Sequence, residues 1–193
     1  MQERRTNRER SEGTTATLIA VARHLFVDRG YAETGTPDLV AAAGMTRGAL
    51  YHHFADKRAL FRAVVVAESR AVAEAVERSA PGGHDPVADL VTGGEAYLDA
   101  MAEPGRSRLL LVEAPAVLGP ADAAAIDAEH AGRTLREGIE AALATGAIRP
   151  LPIAALVTLL GATFDRAALA VSEGMSRSDC AAVLTAVLSG LRS

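Results

Sequence analysis

Apolar residues recur along this chain at intervals of three and four, and that spacing constrains its fold more than any other feature. Leu18, Val21, Ala22, Leu25 and Phe26 show it first, forming one apolar face of a helix. No segment alternates apolar and polar with the period of two that a half-buried strand requires. Composition agrees: 49% of residues are hydrophobic but only 4% are aromatic, with alanine and leucine dominating. β-branched and aromatic residues populate pleated surfaces, whereas Ala and Leu favour helix. The expected fold class is all-α. A chain of 193 residues can bury a real core, as one large or two small domains.

Caps and breakers divide the chain. Residues 1–12 carry charge without an apolar stripe and are expected to be a disordered basic arm, in which Arg4, Arg5, Arg8 and Arg10 either reach a minor groove or stay solvated. A first helix begins near Thr14 or Thr15 and ends at Gly30. A second runs from Thr36 to Ala43, capped by Thr34 or Thr36, with Pro37 in its first turn. Gly44-Met45 makes a tight turn, and Thr46 caps a third helix through Phe54. Asp56 caps a fourth, from Lys57 to about Ser79, ahead of the breaker Pro81-Gly82-Gly83. A head over residues 13–60, a fourth helix shared by both halves and a body over residues 84–193 are thus expected.

The body also reads as helices. One runs from Pro86 to about Met101, softened at Gly93-Gly94. A short one after Pro104 is interrupted at Pro115, and a long one spans Pro120 to Thr145. Another starts at Pro152 and reaches about Glu173, and Ser176 with Asp179 resembles a capping box for the last.

Charge separates the halves. Residues 1–60 hold nine Lys+Arg against seven Asp+Glu, while residues 61–193 hold eleven against seventeen, so a net of +2 faces a net of −6. A mildly basic head on an acidic body suits a protein that touches phosphate with one end. Cys180 is the single cysteine, which excludes an intramolecular disulfide and a multi-cysteine zinc site. The polar start MQERRTNRER lacks the apolar run of a signal peptide. No stretch of about 18 uninterrupted apolar residues suggests a membrane span. A cytoplasmic protein without a membrane partner is expected.

Two short helices joined by a glycine-containing turn form a helix-turn-helix, whose second helix can enter a major groove. Here that helix is Thr46-Arg47-Gly48-Ala49-Leu50-Tyr51-His52-His53-Phe54. Leu50 and Phe54 are four apart and pack inward. Arg47, Tyr51 and His52 lie on other faces, and Gly48 allows close backbone approach. Such a helix is well supplied with donors for phosphates and base edges. Lys57 and Arg58 add charge where the amides of helix four already favour an anion. The blander alternative makes Tyr51 a core aromatic, His52 and His53 a solvated helix end, and Arg47 a surface charge.

These residues carry a resemblance. Leu18-Ile19, Leu25-Phe26, Gly30-Tyr31, Thr34, the run from Ala42 to Phe54, and Asp56-Lys57-Arg58-Ala59-Leu60 resemble, in order, the tetracycline-repressor (TetR) family of bacterial regulators. The caps and breakers give roughly nine helices in all, and the resemblance implies a three-helix DNA-binding head and a helical ligand-binding and dimerisation body. It also implies DNA contacts from Thr34, Thr46, Arg47, Gly48, Tyr51, His52, His53 and Lys57. Gly35 departs from the pattern, standing where relatives often carry a hydroxyl. Pro37 and Val40 replace an acidic residue and alanine, changes that bear on packing. The function implied is a repressor that binds a palindromic operator on double-stranded DNA as a homodimer and is released by a small, largely apolar effector.

The body offers two wide apolar faces. Leu156, Leu160 and Phe164 lie on one helix, and Val183, Leu184, Val187, Leu188 and Leu191 on the next. The resemblance makes them a dimer interface; intramolecular core is the alternative. Tyr97, Met101, Leu111, His130, Leu135 and Phe164 are candidates for an effector pocket, and equally for core.

An enzyme is the first rival reading. Asp127 and His130 lie one turn apart, with Glu129 adjacent, a spacing used in carboxylate–histidine metal sites, but a metal needs more ligands than this pair supplies. Cys180 sits on an apolar helix without a nearby base, and neither a phosphate-cradling glycine loop nor a serine elbow is present. No catalytic residue, cofactor or metal is expected. A helical sensor that has lost specific DNA binding is the second rival.

Overall fold

The computed structural model describes residues 7–79, 82 and 85–193. Among them the chain is helical, without a regular strand: α1 (Asn7–Glu33), α2 (Thr36–Ala42), α3 (Arg47–His53), α4 (Lys57–Ser79), α5 (Pro86–Met101), α6 (Arg106–Arg108), α7 (Ala114–Leu118), α8 (Pro120–Glu129), α9 (Ala131–Ala144), α10 (Ile153–Ser172) and α11 (Arg177–Ser189). The side chains of Arg4, Arg5, Arg8 and Arg10 fall outside the described residues, as does most of the expected breaker at 81–83.

The local signals act as their chemistry demands. Thr46 Oγ1 accepts the Ala49 amide at 3.2 Å, Asp56 accepts that of Ala59 at 2.7 Å, and Ser176 that of Asp179 at 3.3 Å. Gly30 sits at φ 83°, ψ 161°, so the helical geometry of α1 breaks there and only Tyr31–Glu33 follow.

Four expectations need correction. α1 opens at Asn7, so residues 7–12 are helical rather than a disordered arm. Arg and Glu are good helix formers, and adding residues to an existing helix is far easier than nucleating one. Second, Gly35 caps α2, its amide donating to Asp38 Oδ2 at 2.9 Å, and neither threonine does. Third, Pro115 does not interrupt its helix. A π-turn over Leu109–Glu113 joins α6 to α7, and the Ala114 amide reaches back to Leu109. That wider turn carries the chain past a residue that lacks an amide hydrogen and would crowd an α-helical carbonyl. Fourth, the long helix from Pro120 breaks at His130 (φ −127°, ψ −101°), giving α8 and α9. The Gly132 backbone amide, at the start of α9, favours the charged form of the Asp127 carboxylate across the break. A Cβ on Gly132 would lie 2.6 Å from Asp127 Oδ2, so a larger residue there would displace that carboxylate.

Two cores meet along α4. The first takes Leu18, Ala22, Leu25 and Phe26 from α1, Leu39 from α2, Leu50 from α3, and Leu60, Phe61, Val64 and Val65 from α4. It continues into Leu109, Ala114, Leu118 and Ile126 of the body, so the head is not closed on itself. Phe26, Tyr31 and Phe61 stack at its centre, with ring centroids 4.9–5.7 Å apart. The second core gathers Val72 of α4 with α5, α9, α10 and α11. Helix α10 is long and apolar enough to cross a membrane, yet Leu156, Leu160, Phe164 and Ala168 turn one of its faces into this core.

Candidate nucleic-acid interface and internal cavity

Helix α3 is held by its buried side and leaves the other free. Leu50 is fully buried, and Phe54 is half-buried against the same core. Thr46, Arg47, Gly48 and His52 are exposed, and Tyr51 is 40% exposed. The Arg47 guanidinium lies 5.4 Å from the centre of the Tyr51 ring. Hydrogen bonds to the Tyr51 hydroxyl from Arg47, and then from Thr36, hold its pKa below the usual phenol value. His53 is half-buried, and its Nδ1 lies 3.1 Å from Thr15 Oγ1, pinning α3 to α1.

Three residues expected near DNA are engaged elsewhere. Thr34 is fully buried, donating to the Gly30 carbonyl at 2.8 Å and sharing the Leu25 carbonyl at 3.3 Å. It serves the turn between α1 and α2 and presents no surface to a ligand. Lys57 Nζ donates to the carbonyls of Tyr31 and Thr34, each at 2.9 Å, and sits 4.1 Å over the Tyr31 ring. Arg58 donates to the Leu118 carbonyl at 2.8 Å and to that of Val117 at 3.2 Å, and faces Asp122 at 3.4 Å. Lys57 thus fastens the head, and Arg58 ties it to the body.

Between α4, α5, α8, α9 and α10 lies a cavity of about 470 Å³. Its size falls in the range of small-molecule sites. Tyr97, Leu135 and Phe164 line it as the sequence suggested. Met101 is instead core, 2% exposed, Leu111 packs partly buried against that core, and His130 forms the α8–α9 break. Glycines open the space: a Cβ on Gly94 would meet the Phe164 ring at 2.7 Å, and one on Gly138 would meet Leu90 at 2.8 Å.

Two acids in the cavity wall were not singled out as ligand contacts from sequence. Asp165 accepts the Tyr97 hydroxyl at 2.6 Å. Burial, with the Asp165 and Asp127 charges and the Asp165 hydrogen bond adding to it, pushes the Tyr97 phenol well up. Asp127 reaches the same space from α8. Burial, reinforced by the charge of Asp165, pushes its carboxyl up to about 6. Asp127 is nonetheless solvent-exposed. An acid in the apolar run around Phe164 was the available signal for Asp165.

The proposed dimer residues also divide. Leu156, Leu160, Phe164, Leu184 and Leu188 are buried within this chain at 9% exposure or less, and Leu191 packs partly buried beside them. Val183 and Val187 face outward, at 62% and 41% exposure, together with Leu159 at 68%.

Two family models match the chain: bacterial regulatory proteins, tetR family, over residues 18–64, and tetracyclin repressor-like, C-terminal domain, over residues 87–191. The chain belongs to the TetR family of regulators. A TetR-family transcriptional regulator of Pectobacterium atrosepticum shares 34% identity and aligns over 97% of this chain and 98% of that one, with a TM-score of 0.74. The HTH-type transcriptional regulator AcrR of Shigella flexneri is 34% identical over 109 residues, 56% of this TetR-family chain and 50% of AcrR. The HTH-type transcriptional repressor BepR of Brucella suis is 39% identical over 62 residues, 32% of this chain. The chain spans only 29% of BepR and half of AcrR. The structure of RolR in complex with resorcinol, 19% identical, covers 97% of this chain and 91% of RolR with a TM-score of 0.71, a likeness of fold.

Proposed function

We propose that this chain is a cytoplasmic transcriptional repressor that binds a palindromic operator as a homodimer and releases it when a small, largely apolar effector enters the cavity. The observation that carries the reading is α3. It is a short capped helix with Leu50 as its anchor and Thr46, Arg47, Gly48, Tyr51 and His52 on its free side. A helix so presented fits a major groove, with Arg47 for base edges or phosphate and Thr46 and Tyr51 for the backbone.

Effector coupling runs through α4 and α8. Val76 and Glu77 near the end of α4 line the cavity, while its first turn binds the head through Lys57 and the body through Arg58. Asp127 near the end of α8 lines the same cavity, and Asp122 in its first turn faces Arg58. An effector that prefers a shifted α8 therefore acts on the residues that position α2 and α3. The two affinities change reciprocally, by about 1–3 kcal/mol in typical cases.

The test is fluorescence anisotropy of the pure protein on DNA flanking its own gene, against scrambled DNA, at two salt concentrations. Tight binding that depends on sequence and survives moderate salt is expected. Binding that is weak, salt-labile and blind to sequence at every candidate site would overturn the reading.

A further inference from the structure

We propose that the cavity binds an organic cation, its amine or other cationic head seated between Asp127 and Asp165 and its apolar body laid along the helix walls. The inference deepens the effector half of the proposed function and rests on it only in taking this cavity as the effector's site.

The charge around the space is one-sided. Glu77 of α4, Asp89 of α5, Asp127 of α8, Glu137 of α9 and Asp165 of α10 all line it, and Lys, Arg and His are missing from the described lining. Arg133, outside that lining, pairs with Glu77 and Glu137 and so balances one side. Asp127 and Asp165 have no such partner among the described residues. Asp127 accepts only a backbone amide, from Gly132, and Asp165 accepts only the neutral Tyr97 hydroxyl. Two carboxylates whose charges act on each other are costly until a positive charge joins them. An anion would be repelled and a neutral guest would leave the cost in place, so a cation gains most.

The walls set the rest of the ligand. Leu90, Leu135, Phe164 and the bare helix backbone at Gly93, Gly94 and Gly161 give an apolar surface that a compact inorganic ion would not use. The Phe164 and Tyr97 rings, edge-to-face at 5.9 Å, stand beside Asp165 and add aromatic density near the head group.

Titration supports the geometry. A cation binds the ionised carboxylates, so protons compete with it below about 6, where Asp127 titrates. Asp165 is raised as well, by burial against the hydrogen bond from Tyr97. Affinity for a cation therefore falls as pH falls, whereas affinity for a neutral guest of the same shape stays level.

The experiment is calorimetric titration of the full chain with octylamine, octanol and octanoate, one apolar body carrying three head groups. Octylammonium is expected to bind tightest and octanoate not at all. Lowering the solution from about pH 8 to about pH 5 should weaken octylammonium by roughly tenfold and leave octanol unmoved. Asp127→Asn combined with Asp165→Asn should weaken octylammonium by about tenfold or more while sparing octanol. Asparagine keeps the acceptors for Gly132 and Tyr97, and removing the Asp127 charge should raise the melting temperature at neutral pH, so lost binding would not reflect unfolding. Equal affinity for octanol or octanoate, unchanged octylammonium binding by the asparagine variants, or no binding of any of the three would overturn the inference. Direct titration involves no DNA, so failure here is separable from failure of operator binding on the same sample.

Discussion

Arg47 and Tyr51 act as one unit on α3. The guanidinium lies over the ring, and both groups reach solvent on the side opposite Leu50. Truncating either side chain removes a donor and its pre-organised partner without opening the core. Arg47→Ala and Tyr51→Ala are each expected to lose about 1–3 kcal/mol of specific operator binding, with helicity and dimer mass unchanged. Anisotropy read beside circular dichroism checks this, and variants that bind the operator as wild type would show that α3 is not the reading helix. That Thr46, Arg47 and Tyr51 share an exposed face was legible, because a cap and a helical period are local properties. The intrachain partners of Thr34 and Lys57 were not legible, because they are made by the fold. The end of the helix at Gly30 was legible, but no spacing rule announces that the Tyr31 and Thr34 carbonyls meet Lys57 of α4.

At the scale of elements, the seam between head and body is an ion triad. Glu68 of α4, its side chain 10% exposed, meets Arg23 of α1 at 3.0 Å and Arg106 of α6 at 2.8 Å. Burial alone would raise its carboxyl, but the hydrogen bonds from Arg23 and Arg106 outweigh that and hold it below the ordinary glutamate range. Removing the acid takes from both arginines their nearest carboxylate and leaves Arg23 with Glu103 at 3.6 Å and Arg106 with the Ala100 carbonyl. Glu68→Ala is expected to lose about 3–5 kcal/mol of stability, read as a lower urea midpoint at constant slope. The pH dependence has a definite sign. A depressed acid contributes fully above its unfolded pKa, about 4.3, and that contribution is lost as pH falls through the folded value. Glu68→Gln should therefore lack this acid-side component, and a wild-type midpoint in Glu68→Ala would refute the triad's role. The element map shows the same limit of sequence reading. Helix α4 was read from Lys57 to Ser79 because Asp56 starts it and a breaker follows. The break at His130 was not, because it depends on how the Asp127 carboxylate meets Gly132, and a periodic apolar pattern runs straight through it. The cavity was half legible for a related reason: its apolar wall is periodic, while Asp127 and Asp165 come together from helices far apart in sequence.

For the whole molecule, α10 and α11 each turn one face into the core and one outward. The inward residues of these helices satisfy the chain's own core, so a substitution such as Leu184→Asp, at 5% exposure, would unfold the body before it tested any assembly. The outward residues are the informative ones. Leu159, Val183 and Val187 stand in solvent beside the small exposed residues Ala155, Ala162, Ala182 and Ala186. Small residues let helices approach closely, and a two-fold axis through such a face would bury each of these residues twice. Two α3 helices related by that axis would then match the two halves of a palindrome. Leu159→Asp with Val183→Asp is expected to give a folded monomer, since both positions are already more than half exposed in the single chain. Light scattering should report half the wild-type mass, and the melting temperature should lose its dependence on protein concentration. Operator binding should weaken together with the dimer, because each head alone reads only one half-site. A variant that stays dimeric would move the two-fold axis to another face of the molecule, and one that becomes monomeric yet binds the operator unchanged would remove the symmetry argument from the reading of α3.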